Sequence, residues 1–139
     1  MDDLSGLRKT IYDTDKKRAA LIQKLLRTKP FIAAQVYERF KTCGNENCRC
    51  KQGIPHGPFL WLYQKKKGNP ILSTTIAKDK ETQAKELAER YKLLLAQRQT
   101  LREFDQEINV YLNSMEKILE LEANGYVTNR DPGRPKKNR

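Results

Sequence analysis

The sequence predicts a mainly α fold with a small β-hairpin, in which an N-terminal helix and a long C-terminal coiled-coil-like helix flank a cysteine-rich loop. Three observations lead there. Residues 3–28 and 79–122 carry apolar side chains at helical spacing. Between them, two β-rich runs bracket a Gly-Asn turn. The loop before those runs holds all three cysteines and the single histidine of the 139-residue chain.

In the first stretch Leu4, Leu7, Ile11, Thr14, Arg18, Leu21 and Leu25 recur at steps of three and four residues. Pro30 ends the run, because proline lacks the N–H that a helix interior needs. A shorter apolar-rich helix is expected from Phe31 to Phe40. Residues 41–58 are loop-like, with three glycines and two prolines. FLWLYQ (59–64) and ILSTTIA (71–77) then flank the turn KKKGNP (65–70), which gives the hairpin. Phe59, Trp61 and Tyr63 alternate with Leu60 and Leu62, so one set should pack on a helix. For the other set, core or dimer packing is favoured over stacking on nucleic-acid bases.

From Asp79, a suitable N-cap, neither proline nor glycine occurs before Gly125. A seam of Leu87, Tyr91, Leu94, Arg98, Leu101, Asp105, Ile108, Leu112, Met115 and Leu119 follows, apolar at eight of ten positions. A helix over 79–122 would be about 65 Å long. Its partner helix is expected either in the same chain or in a second copy. Arg98 and Asp105 fall within this seam and Arg18 within the first stripe. Pairing Arg18 with Asp105 between antiparallel helices would fix their register.

The organisation is therefore an N-terminal helix at 1–28, a short helix, loop and hairpin at 29–78, the seam helix at 79–122 and a basic flexible tail at 123–139. These segments carry net charges of +3, +7, −3 and +4, within a chain total of +11. The positive potential thus sits in the middle and the tail, and it predicts attraction to a polyanion. Only 37 % of residues are hydrophobic while 32 % are charged, which argues for elongated helices over a thin core.

Several classes drop out. No apolar run approaches the ~20 residues of a membrane helix, and the charged residues 1–25 leave no room for a signal-peptide core. A single histidine, His56, excludes HExxH zincins, two-histidine metal triads and Cys2His2 fingers. Three clustered cysteines suggest a metal rather than disulfides, which fits a reducing, cytoplasmic location.

Cys43, Cys48, Cys50 and His56 form C-x4-C-x-C-x5-H. Three thiolates and an imidazole make a complete tetrahedral set for structural zinc, giving a Cys3His zinc loop with no open coordination position. An iron–sulfur cluster, a catalytic Cys–His pair and buried thiols are the alternatives. Gly44, Gly53 and Gly57 allow the tight turns, and Lys41, Arg49 and Lys51 offset the centre's negative charge.

The stretch KTCGNENCRCKQGIPHGPFLWLYQ, followed by a hairpin and a long helix, resembles an uncharacterised prokaryotic family of small domains. Its C-G-x3-C-x-C-x5-H-G-P signature corresponds to Cys43, Gly44, Cys48, Cys50, His56, Gly57 and Pro58. The resemblance covers about residues 36–110 and departs at FLWLY, where the family has a more tyrosine-rich strand. It implies the metal site and a genetic context, since members are often encoded beside transposases or other mobile-element genes. It implies no reaction.

Two surfaces are candidates for holding DNA. In the tail, Gly133-Arg134-Pro135 followed by Lys136 and Lys137 is similar to an AT-hook, whose extended core lies in a narrow A·T minor groove. Pro132 stands where the full motif has arginine before the glycine, and Arg130 and Arg139 add charge. The other surface joins Lys41, Arg49 and Lys51 to the hairpin lysines Lys65, Lys66 and Lys67. The expectation is a non-enzymatic, zinc-stabilised protein that binds duplex DNA, with a preference for A·T-rich sites. It would act as a homodimer or by helical docking to a recombinase or transposase. The alternatives are an RNA-binding module and an adaptor or inhibitor of a nucleic-acid enzyme.

Overall fold

A helical hairpin carries a three-stranded sheet near its closed end in this computed structural model, which describes residues 3–65 and 72–128. The first helix, α1 (Leu4–Leu25), starts at Asp3, whose carboxylate accepts the Gly6 N–H. All seven stripe residues from Leu4 to Leu25 are buried or half-buried, with Leu7 and Thr14 the most enclosed. They lie against the second helix, α2 (Glu81–Leu119), which belongs to the same chain and runs antiparallel.

α2 is 39 residues long, about 58 Å at 1.5 Å per residue. It starts two residues after the expected N-cap: Asp79 lies in a 3-10 turn, Lys78–Lys80, and the cap position falls on Lys80. Its inward face comprises Ala84, Leu87, Ala88, Tyr91, Leu94, Gln97, Leu101, Phe104, Ile108, Tyr111 and Met115. The expected seam is therefore corrected: Arg98, Asp105, Leu112 and Leu119 are exposed, and Ala84, Ala88, Gln97, Phe104 and Tyr111 join the inward face. Adjacent positions straddle the contact line, and the neighbours Phe104 and Tyr111 take the inside. Apolar area gains by burial, whereas a charge gains by reaching water from the flank.

The segment between α1 and the sheet is clamped onto α2. The Arg90 guanidinium donates to the Pro30 carbonyl (3.0 Å) and to Glu86 (2.9 Å), and the Ile32 N–H donates to the Leu87 carbonyl (3.2 Å). Phe31 stacks on Tyr91 with ring centroids 5.4 Å apart.

The expected helix from Phe31 to Phe40 is instead this clamp followed by a strand, β1 (Gln35–Lys41). Val36, Tyr37 and Phe40 are strand-favouring residues, and β1 is secured by pairing across its length with β2 (His56–Gln64). A tertiary partner outweighs a weak local period. β2 pairs antiparallel in turn with β3 (Leu72–Thr75), so the sheet order is β1-β2-β3. The expected hairpin is thus the second half of a meander, and the cysteine loop is the β1–β2 connection.

Alternation divides the sheet into two faces. Val36, Leu60 and Leu62 share one, and Leu60 lines a groove with Ala88, Tyr91 and Leu95 of α2. Tyr37, Arg39, Phe59, Trp61 and Tyr63 share the other. No helix among the described residues is long and apolar enough to cross a membrane.

Candidate metal centre

The β1–β2 connection is built from turns that bring distant donors back to one point. Asn45 accepts the Asn47 N–H on its side-chain oxygen (3.0 Å) and the Cys48 N–H on its carbonyl (3.2 Å). A 3-10 turn, Arg49–Gln52, then places Cys50 inward with Arg49 and Lys51 exposed on either side. Gly53, at φ 95°, ends that turn in the left-handed region that glycine enters without strain.

β2 supplies the fourth donor at its first residue. His56 pairs with Lys41 across a bulge between Arg39 and Lys41. The next residue, Gly57, has φ 134°, and a Cβ there would lie 2.9 Å from the Arg39 carbonyl oxygen and 3.0 Å from the Phe40 ring. Only glycine lets the two strands approach this closely beside the imidazole.

The result is a four-donor cluster. One ligand atom each from Cys43, Cys48, Cys50 and His56 lies within 4.8 Å of all the others. The Cys43 and Cys50 sulfurs are 3.5 Å apart, and the Cys48 sulfur is 3.1 Å from His56 Nε2. The Cys43 N–H also donates to the Cys50 sulfur (3.3 Å). Cys50 is buried, and Cys43 and Cys48 are half-buried. Such a set can hold a metal ion.

The electrostatics agree with that chemistry. Hydrogen bonding from His56, then from the Asn45 backbone and the Cys48 and Cys50 thiols, lowers Cys43 from 9.0 to about 6. Cys48 moves the other way. The Cys50 backbone favours its thiolate, but the Cys43 and Cys50 thiols, burial and the Cys43 charge together raise it. One thiolate forms readily and then suppresses the next. A cation at the centre removes that suppression.

The cationic residues expected around this loop divide into two groups. Lys41, Arg49, Lys51 and Lys65 are exposed. Lys41 ends β1 with its ammonium 4.9 Å from the Phe59 ring centroid, and Lys65 follows β2. Lys66, Lys67, Arg130, Arg134, Lys136, Lys137 and Arg139 lie outside the described residues, as does the AT-hook-like core. Arg39 was not singled out from sequence, yet its guanidinium lies 4.5 Å from the Trp61 ring centroid. Its signal was the alternation of β1, which the helical reading of that segment hid.

Residues 11–86 match the family described as Domain of unknown function (DUF6788). The match takes in most of α1, the whole sheet, all four clustered donors and the start of α2, as expected of a small-domain family. No curated protein and no solved structure matches the chain.

Proposed function

We propose that this chain, which belongs to the DUF6788 family, is a non-enzymatic, zinc-stabilised DNA-binding accessory or regulatory protein. The observation that carries this reading is the cluster of Cys43, Cys48, Cys50 and His56 within 4.8 Å, with Lys41, Arg49 and Lys51 exposed beside it.

Zinc fits the donor set. With Zn–S near 2.3 Å and Zn–N near 2.0 Å, the edges of a tetrahedral site are roughly 3.5–3.8 Å. The Cys43–Cys50 and Cys48–His56 separations of 3.5 and 3.1 Å lie near those edges, and the other donor pairs, all within 4.8 Å, would close onto them by side-chain movement. Three thiolates and one imidazole fill all four positions, so the ion would hold the β1–β2 connection in shape rather than bind a substrate. That shape fixes where Arg49 and Lys51 project, on either side of a ligand.

The charge distribution supports a polyanionic partner, since residues 29–78 alone carry +7. The loop cations would contact phosphates of duplex DNA, and the Gly133-Arg134-Pro135 tail would add an A·T-biased anchor through the minor groove. Two weak contacts on one chain raise overall affinity by effective concentration. The resemblance to domains encoded beside transposases supports a role next to a recombinase or transposase, docked through the segment 79–122, which carries −3, or acting as a dimer.

The test combines metal analysis with duplex binding across a salt series. One equivalent of zinc and a log–log salt dependence are expected, with Lys41→Ala, Arg49→Ala and Lys51→Ala each lowering the slope by about 1. Cys48→Ser should release the metal and weaken duplex binding while α1 and α2 remain helical. Well-folded protein without metal, or binding indifferent to the three cations, overturns the reading.

A further inference from the structure

We propose that the face of the sheet turned away from α2 is a stacking platform for the unpaired bases of single-stranded DNA. The proposal rests on the DNA-binding reading above and adds a second binding surface with a different substrate form.

The platform follows from strand register. Gln35 faces Tyr63, Tyr37 faces Trp61 and Arg39 faces Phe59 across β1 and β2, while Ser73 and Thr75 extend the same face on β3. Tyr37 reaches over β2, its hydroxyl 2.8 Å from the Ser73 hydroxyl. Four aromatic side chains therefore share a face opposite the one that Leu60 turns to α2. All four are half-buried rather than enclosed. Half-buried rings on the face turned away from α2 keep area that a ligand can cover.

Two cations complete the chemistry. Arg39 lies 4.5 Å from the Trp61 centroid and Lys41 lies 4.9 Å from that of Phe59. A base can stack on an aromatic ring or on the outer plane of a guanidinium, and the phosphates beside it meet the charges. An apolar protein partner would have to strip water from both cations to reach the rings, whereas a nucleic-acid strand exploits them.

Spacing selects the single strand. Phe59, Trp61 and Tyr63 alternate along β2, so successive rings stand about 6.8 Å apart. Bases stacked in a duplex strand rise only about 3.4 Å and show no open faces to such rings. Bases drawn out of the stack can occupy them.

Trp61 is the only tryptophan in the chain, so it reports on this face directly. Full-length, zinc-loaded protein is titrated with oligothymidylate, with an abasic strand of equal phosphate number, with duplex DNA and with oligouridylate. Oligothymidylate is expected to quench Trp61 emission where the abasic strand does not. Tyr63→Leu, or Tyr37→Leu should the first variant fold poorly, should weaken oligothymidylate binding at least ~5-fold and leave duplex affinity within about 2-fold.

Equal quenching by the abasic strand overturns the proposal, because phosphate contact then explains it. Duplex binding without an oligothymidylate response also overturns it, while leaving the proposed function standing. Loss of binding to every nucleic acid removes both. Tighter binding of oligouridylate overturns the assignment to DNA. A Trp61 change that tracks protein concentration alone assigns the face to a second copy of the chain and overturns the proposal too.

Discussion

Arg18 on α1 donates a hydrogen bond of 2.6 Å from its Nε to Asp105 on α2, joining residues 87 positions apart in the chain. The same bond is the main reason the guanidinium holds its proton above the ordinary arginine range, followed by the Asp105 charge. Arg18 is half-buried and Asp105 exposed, with side-chain exposures of 37 % and 52 %, so water screens the pair and it contributes more to register than to stability. Neighbouring registers of two antiparallel apolar stripes bury similar area, and one specific charge pair separates them.

The first prediction follows. Arg18→Ala or Asp105→Ala alone should lower the melting temperature by a few degrees at most, with strong salt dependence. The exchanged pair, Arg18→Asp with Asp105→Arg, should recover what either reversal loses. Thermal melts in a double-mutant cycle measure this, and additive losses would remove the pair from the register argument.

The second prediction concerns acid. Cys43 ionises near pH 6 in the folded chain and near 9 when unfolded, because His56 and its neighbours favour the thiolate. A folded-state value below the unfolded one makes its contribution complete above about pH 9 and absent below about pH 6. In chelator, the melting temperatures of the wild-type chain and of Cys43→Ser should therefore converge as pH falls through that window. With metal present, uptake should weaken over the lower part of it, as protons compete for the sulfur. A difference that stays constant across the window would contradict the coupling to His56.

Gly57 gives the third. At φ 134° a Cβ would strain the backbone and press on the Arg39 carbonyl at 2.9 Å. Gly57→Ala should cost about 1–3 kcal/mol. It should also displace His56 enough to weaken metal binding. Gly44→Ala is the control, since a Cβ there meets nothing within 4 Å. Chemical denaturation and competition with a chromogenic chelator separate the two effects.

What could be read from the sequence depended on whether a signal was local. All seven residues of the α1 stripe were legible, because a helix's own period decides which side chains face inward, and the stripe carried Arg18 with it; Gly6 and Ile22, also half-buried, lie beside it. The four donors were legible as a group because loop-bound thiols lie close in sequence. On α2 the neighbours at 104 and 105, and at 111 and 112, fit the period equally well. Only the opposing helix selects Phe104 and Tyr111 for the inside. β1 was hidden for a related reason. Its strand character is expressed through pairing with residues 15 to 28 positions away, while Phe31 and Ala34 imitate a helical step. The aromatic face was seen as an alternation, but which of the two faces met a helix could not be known before β1 and α2 had places.

The last prediction tests that placement. Leu60 is 6 % exposed, and Ala84 and Ala88 on α2 are 8 % exposed each. Small side chains on the helix let the sheet approach, and Leu60 is the largest buried group at this junction. Its neighbours are held in place by helix and strand hydrogen bonds and cannot fully collapse into a vacated space. Leu60→Ala should therefore cost about 2–4 kcal/mol. Leu93→Ala, on the exposed side of the same helix at 58 %, should change stability by no more than about 0.5 kcal/mol. Because α1 and α2 pack largely without the sheet, the Leu60 variant should lose its sheet contacts before its helices. Trp61 emission should then shift at a lower denaturant concentration than the far-ultraviolet helical signal. Coincident transitions would mean that the sheet and the helical hairpin unfold as one unit.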